Sequence, residues 1–231
     1  MSFNYESALI WPEDQVNPYL DVRFDAQGRF LPEQGNTVVA QVVPGSATEA
    51  ALIDLRAALM ALPQAGHFAF TAVPSYHMTV FEGVIGTRRA AGFWPQGVPL
   101  NAPIDEVTAR MIERLHGFQA PPPFAMQVTL VTPFGLRLAG ATPEDEAAAR
   151  AWRDALSRAL GLRTPKHDSY GFHTTLAYVI TPLPTAALPD LRARMADLTR
   201  QMQAAVRVLD LARPAFCRFA DMNAFPPVLP L

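Results

Sequence analysis

Ser75-Tyr76-His77-Met78-Thr79-Val80-Phe81 and Gly171-Phe172-His173-Thr174-Thr175-Leu176-Ala177 read alike: aromatic, His, any residue, Thr, hydrophobic. The apolar and β-branched residues that follow each His predict a strand at both places. Side chains i and i+2 of a strand share a face. His77 therefore projects with Thr79, and His173 with Thr175. Met78 and Val80, like Leu176 and Tyr178, point the other way, toward a core. Two imidazoles and two hydroxyls, each pair aligned by the pleat, make a cage suited to a phosphate.

The rest of the composition bounds what such a cage can serve. A chain of 231 residues with 50% hydrophobic and 17% charged side chains is globular and large enough for a core of its own. The formal net charge is −2 and no run of Lys and Arg occurs, which argues against a duplex nucleic acid as partner and for a small anionic ligand. A single cysteine, Cys217, rules out an internal disulfide and a multi-cysteine zinc site. Met1 to Glu6 lack the basic and apolar regions of a leader peptide, and no apolar run is long enough to span a bilayer. These features predict a cytoplasmic protein, with no membrane partner, acting as a monomer.

Residues 1–36 are turn-rich, with a hairpin expected around Asp25-Ala26-Gln27-Gly28, and form an edge decoration or a rim. Thr37 to Val43 reads as the first strand. Ser46 and Glu49 have capping-box spacing, ahead of a helix that stops at Pro63. His67 to Val73 alternates as a strand before the first motif, and Ile104 to Leu115 is helical. Phe124 to Val131 and Leu136 to Leu138 predict a hairpin. Thr142-Pro143-Glu144-Asp145 opens a helix that Gly161 closes. Leu188 to Val206 is a further helix, Val208 to Leu211 and Ala215 to Phe219 are short strands, and Asp221 to Leu231 reads as loop. The two motifs lie 173 − 77 = 96 positions apart, each in a similar plan of strands and helix.

A third His-x-Ser/Thr match, His167-Asp168-Ser169, sits in loop chemistry between Pro165 and Gly171 and has no pleat to align it. The strand pair His77-Met78-Thr79 and His173-Thr174-Thr175 resembles the signature of the two-histidine (2H) phosphoesterase superfamily, which includes 2′-5′ RNA ligase-like proteins and cyclic phosphodiesterases. Gly35-Asn36-Thr37-Val38-Val39, Ser75 to Val84 and Phe219-Ala220-Asp221-Met222 further resemble a bacterial branch of that superfamily of unknown function. The resemblance spans about residue 20 to the end. It implies an α+β, bilobal fold with pseudo-twofold symmetry, antiparallel-rich sheets flanked by helices, and the two motifs facing each other across a central cleft. The whole of 1–231 is then one bilobal domain, with residues 1–36 as an N-terminal extension.

Hydrolysis of a cyclic phosphate needs a base on one side of phosphorus and an acid on the other, and imidazole serves in either role. His77 and His173 are the candidate acid/base pair, and Thr79 and Thr175 the phosphate donors. Phe81, at i+4 from His77, would border the pocket or join the core; Tyr76 and Tyr170 would line the rim or pack inside. Arg88, Arg89 and Lys166 are candidates for a second phosphate or a solvated surface, and Asp221 and Asn223 for orienting a histidine. The expected substrate is a nucleotide or a single-stranded RNA end, with no cofactor. A metal hydrolase is disfavoured because neither His shares its strand face with an acidic residue. A non-catalytic nucleotide or RNA-end binder using the same residues is the alternative.

Overall fold

The structure, a computed structural model, describes residues 4–12 and 14–231. Met1 to Phe3, the start of the stretch read for a leader peptide, lie outside the described residues, as does Glu13. The described chain is α+β. In order it forms β1 (Gly35–Gln41), α1 (Ala47–Met60), β2 (Phe68–Phe70), β3 (His77–Ile85), α2 (Ile104–Leu115), β4 (Met126–Thr132), β5 (Gly135–Gly140), α3 (Pro143–Leu160), β6 (His173–Thr175), β7 (Ala177–Val179), α4 (Leu188–Ala205), β8 (Ala215–Phe219) and β9 (Pro227–Pro230). The strands make a four-stranded sheet ordered β3-β1-β8-β9, a three-stranded sheet β4-β5-β6 and a pair β2-β7, and every pairing is antiparallel. No described helix is long and apolar enough to cross a membrane.

The helices form where local chemistry directs them. Ser46 accepts the Glu49 amide at the start of α1, while the Glu49 carboxylate reaches back to the Gly45 amide. At α3 the Thr142 and Asp145 side chains cap each other's backbone, a reciprocal cap worth about 1 kcal/mol. Ala149, Trp152, Leu156 and Leu160 recur at helical spacing along α3 and are buried. That face packs on β3 and β5, and α4 packs on β4. Val38, Met78, Val80, Met126, Trp152, Phe172 and Leu176 join one continuous core between these layers.

Three expectations are corrected here. The strand expected over His67 to Val73 is only Phe68–Phe70, because 3-10 turns at Ala65–His67 and Val73–Ser75 bracket it and Pro74 sits in the second. Val208 to Leu211 contributes a single bridge, Leu211 to Val42, and no strand. The tail expected to be loop contains β9, an edge strand where Pro227 and Pro230 are tolerated because one side of an edge needs no amide donors.

Two irregularities matter most for function. In β3 the partner of Val38 is Phe81 but that of Val39 is Thr79, so Val80 is an extra, bulged residue. The guanidinium of Arg153, buried on α3, donates to the Val80 carbonyl at 2.8 Å and holds the bulge. The second motif breaks at the equivalent residue. β6 ends at Thr175 in the three-stranded sheet, β7 begins at Ala177 paired with β2, and Leu176 lies between. The Leu176 carbonyl, like that of Val80, is captured from outside its strand: the Thr71 amide donates to it at 2.9 Å. Both motifs share one burial rhythm as a result. From each His, side chains run half-buried, buried, half-buried, buried, buried, half-buried.

Candidate active site

His77 and Thr79 from β3 and His173 and Thr175 from β6 line one cavity of about 230 Å³. The pleat aligns each pair as the spacing predicts. Each imidazole is also oriented by the backbone two residues earlier. His77 Nδ1 lies 2.7 Å from the Ser75 carbonyl, and His173 Nδ1 lies 2.9 Å from the Gly171 carbonyl. A carbonyl only accepts, so in the neutral rings each Nδ1 carries the proton and Nε2 is the basic nitrogen. His77 Nε2 lies 3.2 Å from Thr79 Oγ1.

Burial pushes the His77 imidazolium down to about 4, its neighbour His173 adds to that, and the Ser75 carbonyl opposes it. Burial likewise lowers His173, with the Gly171 carbonyl opposing and Arg137 adding to the fall. Both rings are therefore neutral near pH 7. Between about 4 and the ordinary histidine value of 6.5, the unfolded chain binds the proton that folded His77 refuses. Stability is expected to fall as pH is lowered through that window and to level off for this group below it. Thermal melts from pH 4 to 7 check this: His77→Gln should have a shallower slope than wild type, and equal slopes would refute the assignment.

The residues expected around the histidines divide. Tyr170 lines the cavity, its hydroxyl interacting with Thr79 and its ring under the Arg153 guanidinium at 3.8 Å; burial raises its pKa. Phe81 does not line it. The Val80 bulge turns Phe81 into the core, where Arg153 and His167 face its ring. Tyr76 is also a core residue, next to the motif but on the opposite face from His77, and burial holds its phenol up at about 12. Tyr178, expected in the core, lies against the cavity instead, because the break at Leu176 shifts the alternation by one. The Val80 bulge likewise brings Glu82 to the cavity, so an acidic side chain does share it with His77 and His173. No cluster of three His, Cys, Asp or Glu side chains suited to a metal ion is found among the described residues.

Arg88 lines the cavity and stacks on Phe93 at 4.2 Å, whereas Arg89 binds the carbonyls of Gly86, Leu100 and Ala102 and Lys166 is exposed elsewhere. Asp221 accepts the Asn223 amide and orients neither histidine. His167 is buried on Asp154 at 2.9 Å, away from the cavity, and His116 is exposed.

Several lining residues carried no motif signal. Arg23 sits between the Tyr19 and Tyr178 rings and pairs with buried Glu33 at 2.6 Å. It brings a cation from the N-terminal segment, which is thus part of the rim. Phe225 meets the His77 ring edge-on at 4.3 Å, with its carbonyl held by Gln41 at 2.8 Å. Only long-range contacts place these groups, so spacing along the chain had nothing to mark them.

An α+β fold with two strand-borne histidines on one cavity is the setting in which the family comparison falls. The model of the 2H-phosphodiest family, described as a domain of unknown function (DUF1868), matches residues 23–137, a span that includes His77, Thr79 and Glu82 but ends before His173. The chain belongs to this family. It is similar to a conserved protein of unknown function from Agrobacterium tumefaciens, known from its crystal structure, with 43% identity over 94% of each chain and a TM-score of 0.92. No curated protein matches the chain.

Proposed function

We propose that this chain is a phosphoesterase that needs no metal and hydrolyses a cyclic phosphodiester, with nucleotide 2′,3′-cyclic phosphates and short RNA ends as the substrate class. The observation that carries the reading is the convergence of His77, Thr79, His173 and Thr175 on one cavity, each ring aimed by its own Nδ1 bond. Membership in the family supports phosphoester chemistry in general. The matching burial rhythm and matching Nδ1 bonds of the two strands support a bilobal, pseudo-twofold domain in which the motifs face each other across a cleft.

In the reaction, water attacks phosphorus in line while the bond from phosphorus to a ring oxygen breaks. One neutral imidazole takes the water proton at Nε2, and the other, as imidazolium, gives its proton to the departing oxygen. Between turnovers the first ring gives its proton up and the second takes one from solvent, which resets the pair with no net change. Thr79 and Thr175 donate to the non-bridging oxygens, and Arg23 and Arg88 balance the phosphate charge. The anionic phosphate favours the imidazolium that burial otherwise opposes.

The test is hydrolysis of 2′,3′-cyclic nucleotides and cyclic-phosphate RNA ends in EDTA. Wild type is expected to turn over. Thr79→Val and Thr175→Val, which keep shape and remove a donor, should each lose on the order of 10² in rate. Binding of the nucleotide without turnover would replace this reading with the non-catalytic binder.

A further inference from the structure

A second cavity, of about 450 Å³, adjoins the first and shares Tyr19, His173, Thr175 and Tyr178 with it. It touches neither His77 nor Thr79. One wall is the N-terminal segment, with Ala8 and Trp11; the other is the turn and strands bearing Phe134, Ala177 and Val179. The segment is tied down by Glu6 to Arg192 at 2.7 Å, by the Leu183 amide to the Leu9 carbonyl, and by Asn17 to the Val179 carbonyl.

The chemistry of this cavity is narrow. Among its described lining residues no carboxylate is found, and Arg137 is the one charged side chain of that set. Three of its polar side chains are turned onto the protein's own backbone: Ser7 to the Asn4 carbonyl, Thr132 to the Gly135 carbonyl, and Asn17 to Val179, Ile180 and the Tyr19 amide. Reading a heterocycle by its hydrogen-bonding edge would need such groups to face the ligand. Ser7, Thr132 and Asn17 do not, and the aromatic and aliphatic surface of Trp11, Phe134, Leu136, Ala177 and Val179 makes up much of the wall. The volume falls in the range of cavities that enclose a small organic ligand.

We infer that this cavity is the subsite for an uncharged, apolar aryl or alkyl group carried by the phosphoester substrate. The inference rests on the phosphoesterase reading and adds to its substrate class phosphoesters whose organic group is apolar. Its position also breaks the symmetry of the two histidines. With the organic group on the His173 side, the departing oxygen lies beside His173, and water enters beside His77. His173 then protonates the oxygen as its bond to phosphorus breaks, and His77 takes the proton of the water whose oxygen bonds to phosphorus.

The test compares phenyl phosphate with methyl phosphate, monoesters of equal charge, by calorimetric titration of the full chain. Burying the ring should make phenyl phosphate bind about 10- to 100-fold more tightly. Phe134→Ala removes a wall, and Ala8→Trp, at an exposed position, fills the mouth; each should bring the ratio of affinities toward one. Equal affinity of the two esters for wild type, no binding of either, or a preference unchanged in both variants would overturn the subsite. Hydrolysis of cyclic phosphates alongside equal affinities would overturn the subsite alone. A phenyl preference in a protein that hydrolyses no cyclic phosphate would leave the subsite standing and remove the phosphoesterase reading.

Discussion

Replacing His77 or His173 with Ala is expected to lower kcat for a 2′,3′-cyclic nucleotide by 10²–10⁴, the usual loss of a general acid or base. Each ring reaches the cavity from its own strand and is aimed by its own carbonyl, so neither can substitute for the other. The double variant should be little worse than either single one, because the two act in one proton-transfer cycle. The substrate separates the roles. From a 4-nitrophenyl phosphodiester the leaving group departs as the stable 4-nitrophenolate anion and needs no acid, so His173→Ala should retain much of the wild-type rate on it. His77→Ala should lose that rate, since water still has to be deprotonated. The reverse pattern would exchange the two roles, and unchanged activity in both single variants would refute the two-histidine mechanism.

Gly135→Ala is expected to be the most damaging small substitution. Gly135 follows the Pro133-Phe134 turn and opens β5 with a φ of +144°, a conformation that an L side chain rarely adopts. Its register partner on β6 is Thr175. A Cβ there would lie 2.0 Å from the Thr174 carbonyl oxygen and 3.1 Å from the Leu176 amide nitrogen, both backbone atoms that cannot swing aside. Strain and overlap together should cost about 3 kcal/mol or more. For a chain of this size that is a fall in Tm of roughly 10 °C. The strand pushed away is the one bearing His173 and Thr175, so any folded fraction should also hydrolyse poorly. A melting temperature equal to wild type would show that the turn accommodates a side chain and would refute the argument.

The buried Arg153 explains why the strand motifs are more alike in space than in sequence. Val80-Phe81-Glu82 and Leu176-Ala177-Tyr178 share no residue type position by position, yet the third of each faces the cavity. At each step another element takes the carbonyl of the first: the Arg153 guanidinium at Val80, and at Leu176 the Thr71 amide, which continues the β2–β7 register. Those donors come from positions 73 residues later and 105 residues earlier. Strict alternation along either strand therefore assigns Phe81 to the cavity and Tyr178 to the core, and both are reversed.

Local chemistry alone was enough for the parts that depend on near neighbours. Capping residues at the starts of Ala47–Met60 and Pro143–Leu160, and apolar spacing there and in Ile104–Leu115 and Leu188–Ala205, place the four helices. The i, i+2 rule of a pleated strand aligns His77 with Thr79 and His173 with Thr175. Tertiary structure decided the rest. It broke the alternation at Val80 and Leu176, brought Glu82, Tyr178, Arg23 and Phe225 to the histidines, and built an apolar cavity beside His173 from the N-terminal segment. The physical reason is range: a cap or a pleat is settled within a few residues, while a captured carbonyl, a stacked cation or a cavity wall needs partners that only the folded chain brings together.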